Sequence, residues 1–539
     1  MNVENRNIST VILLFFNLLF NVCCGNIRGS SDDDGGLQDG EAFDSIVDAE
    51  TDSKTDNDAD SEIDSGLDAG NHYDASGAYK WHTFYGSDLL DDAHSVTTDQ
   101  EGNIYVAGLS LDIWVGPDGQ KPINNFEGSG VCAFILKLLP NGKYQWHAFY
   151  SRNAPENIQF AAITIDLNGY IYVTGTSNRN WSGPDGQEPL HAFHGIEGGT
   201  NSGIFVLQLT NNGLYQWHTF YGSDEDIDYS CGITLDDDSN ISIAGVSYSN
   251  WYGSEGQDPI NKHGQNGLAN FFILKLSENG QYEWHTFFGS DVGALAASIT
   301  MDDMGDIYIT GSTDTASEWL GPEGEYPLND MGGGDFDIFI LKISSEGDYL
   351  WHTFFGSGDF DFGRDISAGN NGNVYITGES YDIWMGSQGE SPINYYNGGA
   401  DIVVLKLDDS GSYQWHGFWG ADNDDLGRGI AANDMGEIYI TGSSESGWSG
   451  PDGQIPVHES YDGIINDLIL LKMSNEGAYQ WHTFYGSSKD DHGSDITLDE
   501  AGGIFVAGES NTSWSGPGGQ SPLNEYSGDS DITILKLRQ

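Results

Sequence analysis

Carboxylates cluster on one set of loops of this sequence, at Asp88-Leu89-Leu90-Asp91-Asp92, Asp224-Glu225-Asp226-Ile227-Asp228, Asp359-Phe360-Asp361 and Asp422-Asn423-Asp424-Asp425. A hard cation such as Ca²⁺ takes about six to eight oxygen ligands, often from acids spaced along one loop. Asp88, Asp92, Asp224, Asp228, Asp359, Asp361, Asp422 and Asp425 are therefore candidate ligands, and Ca²⁺ is the one cofactor left open. None of the four loops has the ordered spacing of an EF-hand, and the equivalent place elsewhere reads Ser151-Arg152-Asn153. Exposed acidic turns are the competing reading.

A second pattern is aromatic. Trp114, Trp181, Trp251, Trp319, Trp384, Trp448 and Trp514 open loops of the form Trp-x-Gly-Pro-Asp-Gly-Gln-x-Pro, as in Trp181 to Pro189 and Trp448 to Pro456. A ring beside polar groups can stack on a sugar, and seven equal weak sites act strongly together. The favoured reading is a packing role, with the Gly-Pro turn aiming each ring into a seam between neighbouring units. The turn itself is not uniform, since Gln388 and Gly518 stand where Asp118 does. A third pattern, Tyr-x-Trp-His, recurs at His82, His147, His218, His285, His352, His416 and His482. Ligands of one metal lie within about 2.1 Å of it, whereas the outer strand of a four-stranded blade stands about 15–20 Å from a ring axis. Packing on that outer strand is the expected role. No Gly-x-Ser-x-Gly and no His-Glu-x-x-His is present, so no catalytic residue is assigned. An enzyme centred on the axis would need one odd unit, and the second, with Arg152, Arg179, His191 and His194, departs furthest from the rest.

The tryptophans of Tyr-x-Trp-His sit at Trp81, Trp146, Trp217, Trp284, Trp351, Trp415 and Trp481. A repeat of this regularity governs the whole fold. Each unit holds four strand-like runs; in the first these are Tyr79 to Tyr85, His94 to Thr98, Asn103 to Ala107 and Ala133 to Leu138. Ile104 to Val106 and Phe134 to Leu136 are apolar at successive positions, so both faces of those strands should be buried. That suits a sheet held between two others, as in a propeller blade. The chain starts on a lone outer-type run and ends where the next one is due. The expected fold is all-β, a seven-bladed β-propeller of four-stranded antiparallel blades, with the N-terminal strand completing the last blade and covering its open edge.

Asp166-Leu167-Asn168-Gly169-Tyr170-Ile171-Tyr172-Val173-Thr174-Gly175 and Asp337-Ile338-Phe339-Ile340-Leu341-Lys342 carry a resemblance to bacterial seven-bladed propeller repeats known as SBBP repeats. The resemblance spans Tyr79 to Gln539 and implies the fold. It implies no single activity, because propellers host many.

Ahead of the repeats, Ile8 to Val22 is an apolar run of the length of a signal-peptide core, too short to span a bilayer. Residues 1–24 are expected to be a signal peptide. Cys23 or Cys24 could accept lipid as in a bacterial lipoprotein, ordinary cleavage being the alternative. Residues 25–78 are a low-complexity acidic linker that cannot bury enough apolar area to order itself; residues 79–539 form the propeller. Cys132 and Cys231 occupy different strand positions and read as buried free thiols. No other apolar run is long enough to cross a membrane. With 83 acids against 19 bases and a formal charge of −64, nucleic acid and anionic lipid surfaces are disfavoured partners. Antiparallel order puts the long D–A and B–C connections on one face (strands A to D running from the inner to the outer edge of a blade). The function expected is a monomeric, exported or cell-surface binding scaffold, an outer-membrane lipoprotein or secreted, that takes a glycan or protein ligand on that face. The alternatives are an enzyme with a single axial site and a purely structural surface protein.

Overall fold

Alternating small, polar and β-branched residues between glycine turns form twenty-eight strands among the described residues, numbered β1 to β28 along the chain. The structure, a computed structural model, describes residues 78–124, 131–150, 158–193, 195, 201–264, 268–289, 293–316, 319–369, 372–461 and 463–539. The signal-peptide, lipidation and linker expectations lie outside those residues, as do Arg152 and His194.

In the first blade β2 (Asp91–Thr98) pairs β3 (Ile104–Ser110), which pairs β4 (Cys132–Leu138), which pairs β5 (Tyr144–Tyr150), all antiparallel. Five more sheets repeat this order. The seventh consists of β26 (Asp491–Leu498), β27 (Gly503–Ser510), β28 (Asp531–Arg538) and β1 (Ala78–Tyr85), with Tyr85 opposite Ile532 and Ala78 opposite Arg538. The earliest strand therefore closes the ring. Each inner strand contacts the inner strands on both sides, β26 meeting β2. β3 and β4 are buried at every position, as their uninterrupted apolar runs require.

Two features depart from the boundaries read in the sequence. The inner strand begins at Asp91 rather than His94, because Asp91 can lie buried at its head. Its carboxylate accepts the Ser87 N–H at 2.6 Å and the Ser87 hydroxyl at 2.8 Å, and the Ser110 hydroxyl as well. The B–C connection, besides starting on the long-loop face, folds down the rim of the blade. There the Leu523 N–H donates to the His82 carbonyl at 2.9 Å, and Ile123 does the same to His147. The rim segment covers the outer strand's free edge.

Candidate functional site

The inner strands build the axial channel, and each carries a bulge that turns one residue toward the axis. The pairing of β2 with β3 shifts between Ala93 and Ser95, placing His94 at the bulge. The same shift in the later blades falls on Ala161, Cys231, Ala297, Arg364, Arg428 and Ser494. All seven line a channel of about 490 Å³. Sevenfold symmetry fails at this position: three blades set alanine or serine there, whereas the fifth and sixth set arginine side by side.

One residue further, Asp365 and Asp495 act as staples between blades. Asp365 accepts the Ser298 hydroxyl at 2.6 Å from one neighbour and the Ile430 N–H at 2.7 Å from the other. Asp495 accepts the Val96 N–H at 2.8 Å across the last seam. Burial raises the pKa of both carboxyls.

Toward the long-loop face the channel opens into a cavity of about 460 Å³ containing Arg364, Glu379, Arg428, His492 and Glu509. Glu379 sits opposite Phe362, and Glu509 opposite His492, in the same register of their blades. Arg364 Nε donates to both Glu379 oxygens at 3.0 Å, and its guanidinium lies 5.0 Å from the Phe362 ring centre. Arg428 differs: its Nε is sealed from solvent and has no hydrogen-bond partner among the described residues. Burial and then the Arg364 charge lower its pKa, while Glu379, Glu509 and Asp92 act the other way. Burial, then the Asp92 charge, pushes Glu509 up to about 8, so it holds its proton at neutral pH. Burial, then the Arg428 charge, pushes His492 down to about 4, leaving a neutral imidazole whose Nδ1 is unpartnered. Asp92 stands next to this group, 3.3 Å from His94 Nε2.

The other acidic candidates divide by exposure. Asp88, Asp224, Asp359 and Asp422 are exposed in turns, whereas Asp228, Asp361 and Asp425 are buried at the heads of inner strands in the manner of Asp91. Asp361 accepts the Ser357 N–H at 2.6 Å and hydroxyl at 2.7 Å, and Asp425 the Ala421 N–H at 2.7 Å. These carboxylates tie down the D–A turn. No group of three or more His, Cys, Asp or Glu among the described residues is arranged to hold a metal ion.

Four of the buried heads face a second buried aspartate across a glycine. A β-carbon added to Gly86 would stand 2.5 Å from an Asp531 oxygen and 2.9 Å from an Asp91 oxygen; Gly420 separates Asp401 from Asp425 in the same way. One oxygen of Asp401 is an orphan. Burial, then the Asp422 charge, carries Asp401 from 3.8 to about 7. The folded chain then holds a proton that the unfolded chain releases, so this group's contribution is present at low pH and is lost as pH rises through about 7. Asp401→Asn cannot ionise and places an amide donor facing Asp425. It is expected to raise stability by about 1–3 kcal/mol at pH 8 and to make no difference at pH 4. Calorimetric melting at the two pH values checks this, and equal shifts at both would show that the pair is not ionised.

The seven loop tryptophans are between 2 and 9% exposed, which leaves no ring face open. Each stacks on the histidine of its own outer strand. Trp384 and His416 lie 3.8 Å apart at 7°, and Trp514 and His82 3.8 Å apart at 9°. Aromatic rings of the preceding blade, such as Tyr85 against Trp114, complete the seam. His82 Nε2 donates to the Trp514 carbonyl at 3.1 Å, so Nδ1 must accept the Tyr79 hydroxyl at 2.6 Å. The ring is neutral and fully satisfied. The repeated lysines serve the opposite face: Lys275, Lys472 and Lys342 pair with Asp236, Glu437 and Asp306 in the short A–B turns.

Sequence reading passed over Arg364, Arg428, Glu379, His492 and Glu509. The second unit, singled out as the odd one, puts His191 on the rim, where its Nδ1 lies 2.7 Å from the Phe220 carbonyl. The available signal was a charge in a repeat column otherwise filled by small or apolar residues. The column of Glu379 and Glu509 elsewhere reads Leu109, Thr176, Val246, Ser312 and Ser443.

Comparison with known proteins agrees with the fold. The SBBP β-propeller repeat matches residues 80–112 and 151–180. The uncharacterized WD repeat-containing protein L264 of Acanthamoeba polyphaga mimivirus is 22% identical over 403 residues, covering 64% of this chain and 29% of that protein. Regulatory protein FlaEY of Caulobacter vibrioides is 24% identical over 253 residues, 46% of this chain and 25% of that protein. The chain thus spans under a third of either relative's length. The crystal structure of Sqt1 from Chaetomium thermophilum superposes with a TM-score of 0.40 at 8% identity, covering 86% of this chain and 99% of that one, a likeness too loose to bear on function. Two stretches match that repeat and seven four-stranded blades close into a ring, so this chain is a seven-bladed β-propeller.

Proposed function

We propose that this chain is an exported binding scaffold that takes a glycan or protein ligand at the axial mouth of its long-loop face. The carrying observation is the break in symmetry at Arg364 and Arg428, since one ligand needs one distinctive place in a sevenfold frame. A largely pre-formed concave site with a few convergent polar groups is the usual form of such a place. The buried loop tryptophans favour this single site over seven rim sites. Export and surface attachment rest on the apolar run Ile8 to Val22 and on Cys23 or Cys24.

The test is capture on a glycan array and from a panel of surface proteins. Asn511→Trp and Asn466→Trp, both at the cavity wall, should abolish capture by filling the mouth. Met435→Trp, exposed in a short turn on the opposite face, should leave it intact. The reverse pattern would place the ligand on the other face. One observation favours a second reading, an enzyme centred at the same mouth: His492 and Glu509 stand opposite each other on paired strands in the cavity, and a carboxyl raised by burial beside an imidazole lowered by it is an acid and base pair of the kind that transfers protons. Chemical change in a captured ligand, abolished by His492→Leu, would select it.

A further inference from the structure

We propose that the axial cavity binds a sugar acid, a polyhydroxylated carboxylate either free or ending a glycan, with its carboxylate on Arg428. This rests on the axial reading above and adds the ligand's chemistry.

Arginine is scarce in this chain, seven residues against 83 acids, and two of the seven adjoin in one channel. Their situations are not alike. Arg364 spends its donors on Glu379. Arg428 lies against the same cavity, and its sealed Nε has no hydrogen-bond partner among the described residues. A guanidinium N–H sealed from solvent without an acceptor is costly to the folded state, and an anion that reaches the group from the cavity offsets that cost. Guanidinium presents a planar fork of donors that fits a carboxylate in two parallel hydrogen bonds.

The surroundings narrow the anion. Coulombic influence from Glu379, Glu509 and Asp92 already reaches Arg428, and a dianionic phosphate would meet more of that repulsion than a monoanion. Glu509 is the group that adapts, because its proton removes one negative charge from the site. The rest of the wall is rich in acceptors: Asp424, Glu445 and Asp490, with the amides of Asn466 and Asn511. Carboxylates only accept hydrogen bonds, so the body of the ligand must donate several without adding negative charge. Hydroxyl groups on a sugar ring do this. The cavity volume of about 460 Å³ falls in the range of small-molecule sites, about 300–1,000 Å³.

The full chain would be titrated calorimetrically with D-glucuronate, D-galacturonate, D-glucose and L-glutamate, as wild type, Arg428→Met and Arg428→Lys. Uronates should bind wild type and glucose should not. Arg428→Met should weaken uronate binding by about tenfold or more, with Arg428→Lys recovering part of the loss. Without ligand, Arg428→Met should melt at or above the wild-type temperature, since the sealed Nε gives up no hydrogen bond. A clear fall in melting temperature would show that Arg428 is held by the protein itself and would overturn the proposal. Glucose binding as tightly as glucuronate would overturn the carboxylate, and glutamate binding more tightly than the uronates would overturn the hydroxylated body. No uronate binding, while Asn511→Trp still abolishes glycan capture, would sink the sugar acid and leave the axial mouth standing. A glucuronate-terminated oligosaccharide separates the two sources: tighter binding than the free sugar assigns the site to a glycan end, and equal binding to the free acid.

Discussion

A chain cut to begin at Gly86 is expected to lose the cooperative melting transition of the propeller. The cut removes β1, which occupies the outer position of the seventh blade by pairing along β28 from Ala78↔Arg538 to Tyr85↔Ile532. It also removes Phe84, His82 and Tyr85, which are 0, 0 and 2% exposed. Trp514 then loses the imidazole stacked on it and the Phe84 ring at its edge. Leu523 and Asn524 lose the backbone groups that hold the rim segment down. Burying one large aromatic is worth about 3 kcal/mol or more, and a domain has about 5–15 kcal/mol of stability in all. Losing three such groups together with a row of ladder hydrogen bonds exceeds what the rest can supply. The exposed edge of β28 also becomes a template for pairing between chains. Circular dichroism melting and light scattering of the cut chain check this, and a wild-type transition in the cut chain would refute the closed ring.

Trp384→Ala should destabilise the propeller by about 3–5 kcal/mol, the range for removing a large aromatic from a packed core. Trp384 stacks on His416, meets the Phe418 ring edge-on at 5.7 Å and tilts against Phe355 of the preceding blade at 5.7 Å. The cavity left behind would lie between two blades whose backbones are fixed by their own ladders, so collapse around it is limited. Tyr252→Ala, next to the equivalent tryptophan in another blade but 56% exposed, should change stability by about 0.5 kcal/mol or less. Chemical denaturation of both variants decides the matter. Comparable small losses would mean that the tryptophans are not packing residues. Glycan capture that survives Trp384→Ala at a temperature where the variant is folded would separate the rim from the ligand.

Successive apolar residues in Ile104 to Val106 and Phe134 to Leu136 announced doubly buried strands, and those segments are buried. The lone run at Tyr79 and the missing outer strand after Leu537 announced the closure between β1 and β28. Both are local or counting properties, which is why a single chain was enough. The axial site was not legible in the same way. Bulges at His94, Arg364 and Arg428 arise from how an inner strand twists against its partner, and a linear pattern carries no mark of them.

The sequence by itself therefore determined the number of blades, their strand order and the way the ring shuts, because periodicity and burial pattern are properties of each repeat alone. Only the tertiary structure decided that seven tryptophans face inward onto histidines and that Arg364, Arg428, His492 and Glu509 meet. The four titratable residues lie up to one third of the propeller's length apart in the chain and share a cavity only because the inner strands converge on one axis. That convergence belongs to the closed ring, and no single repeat contains it.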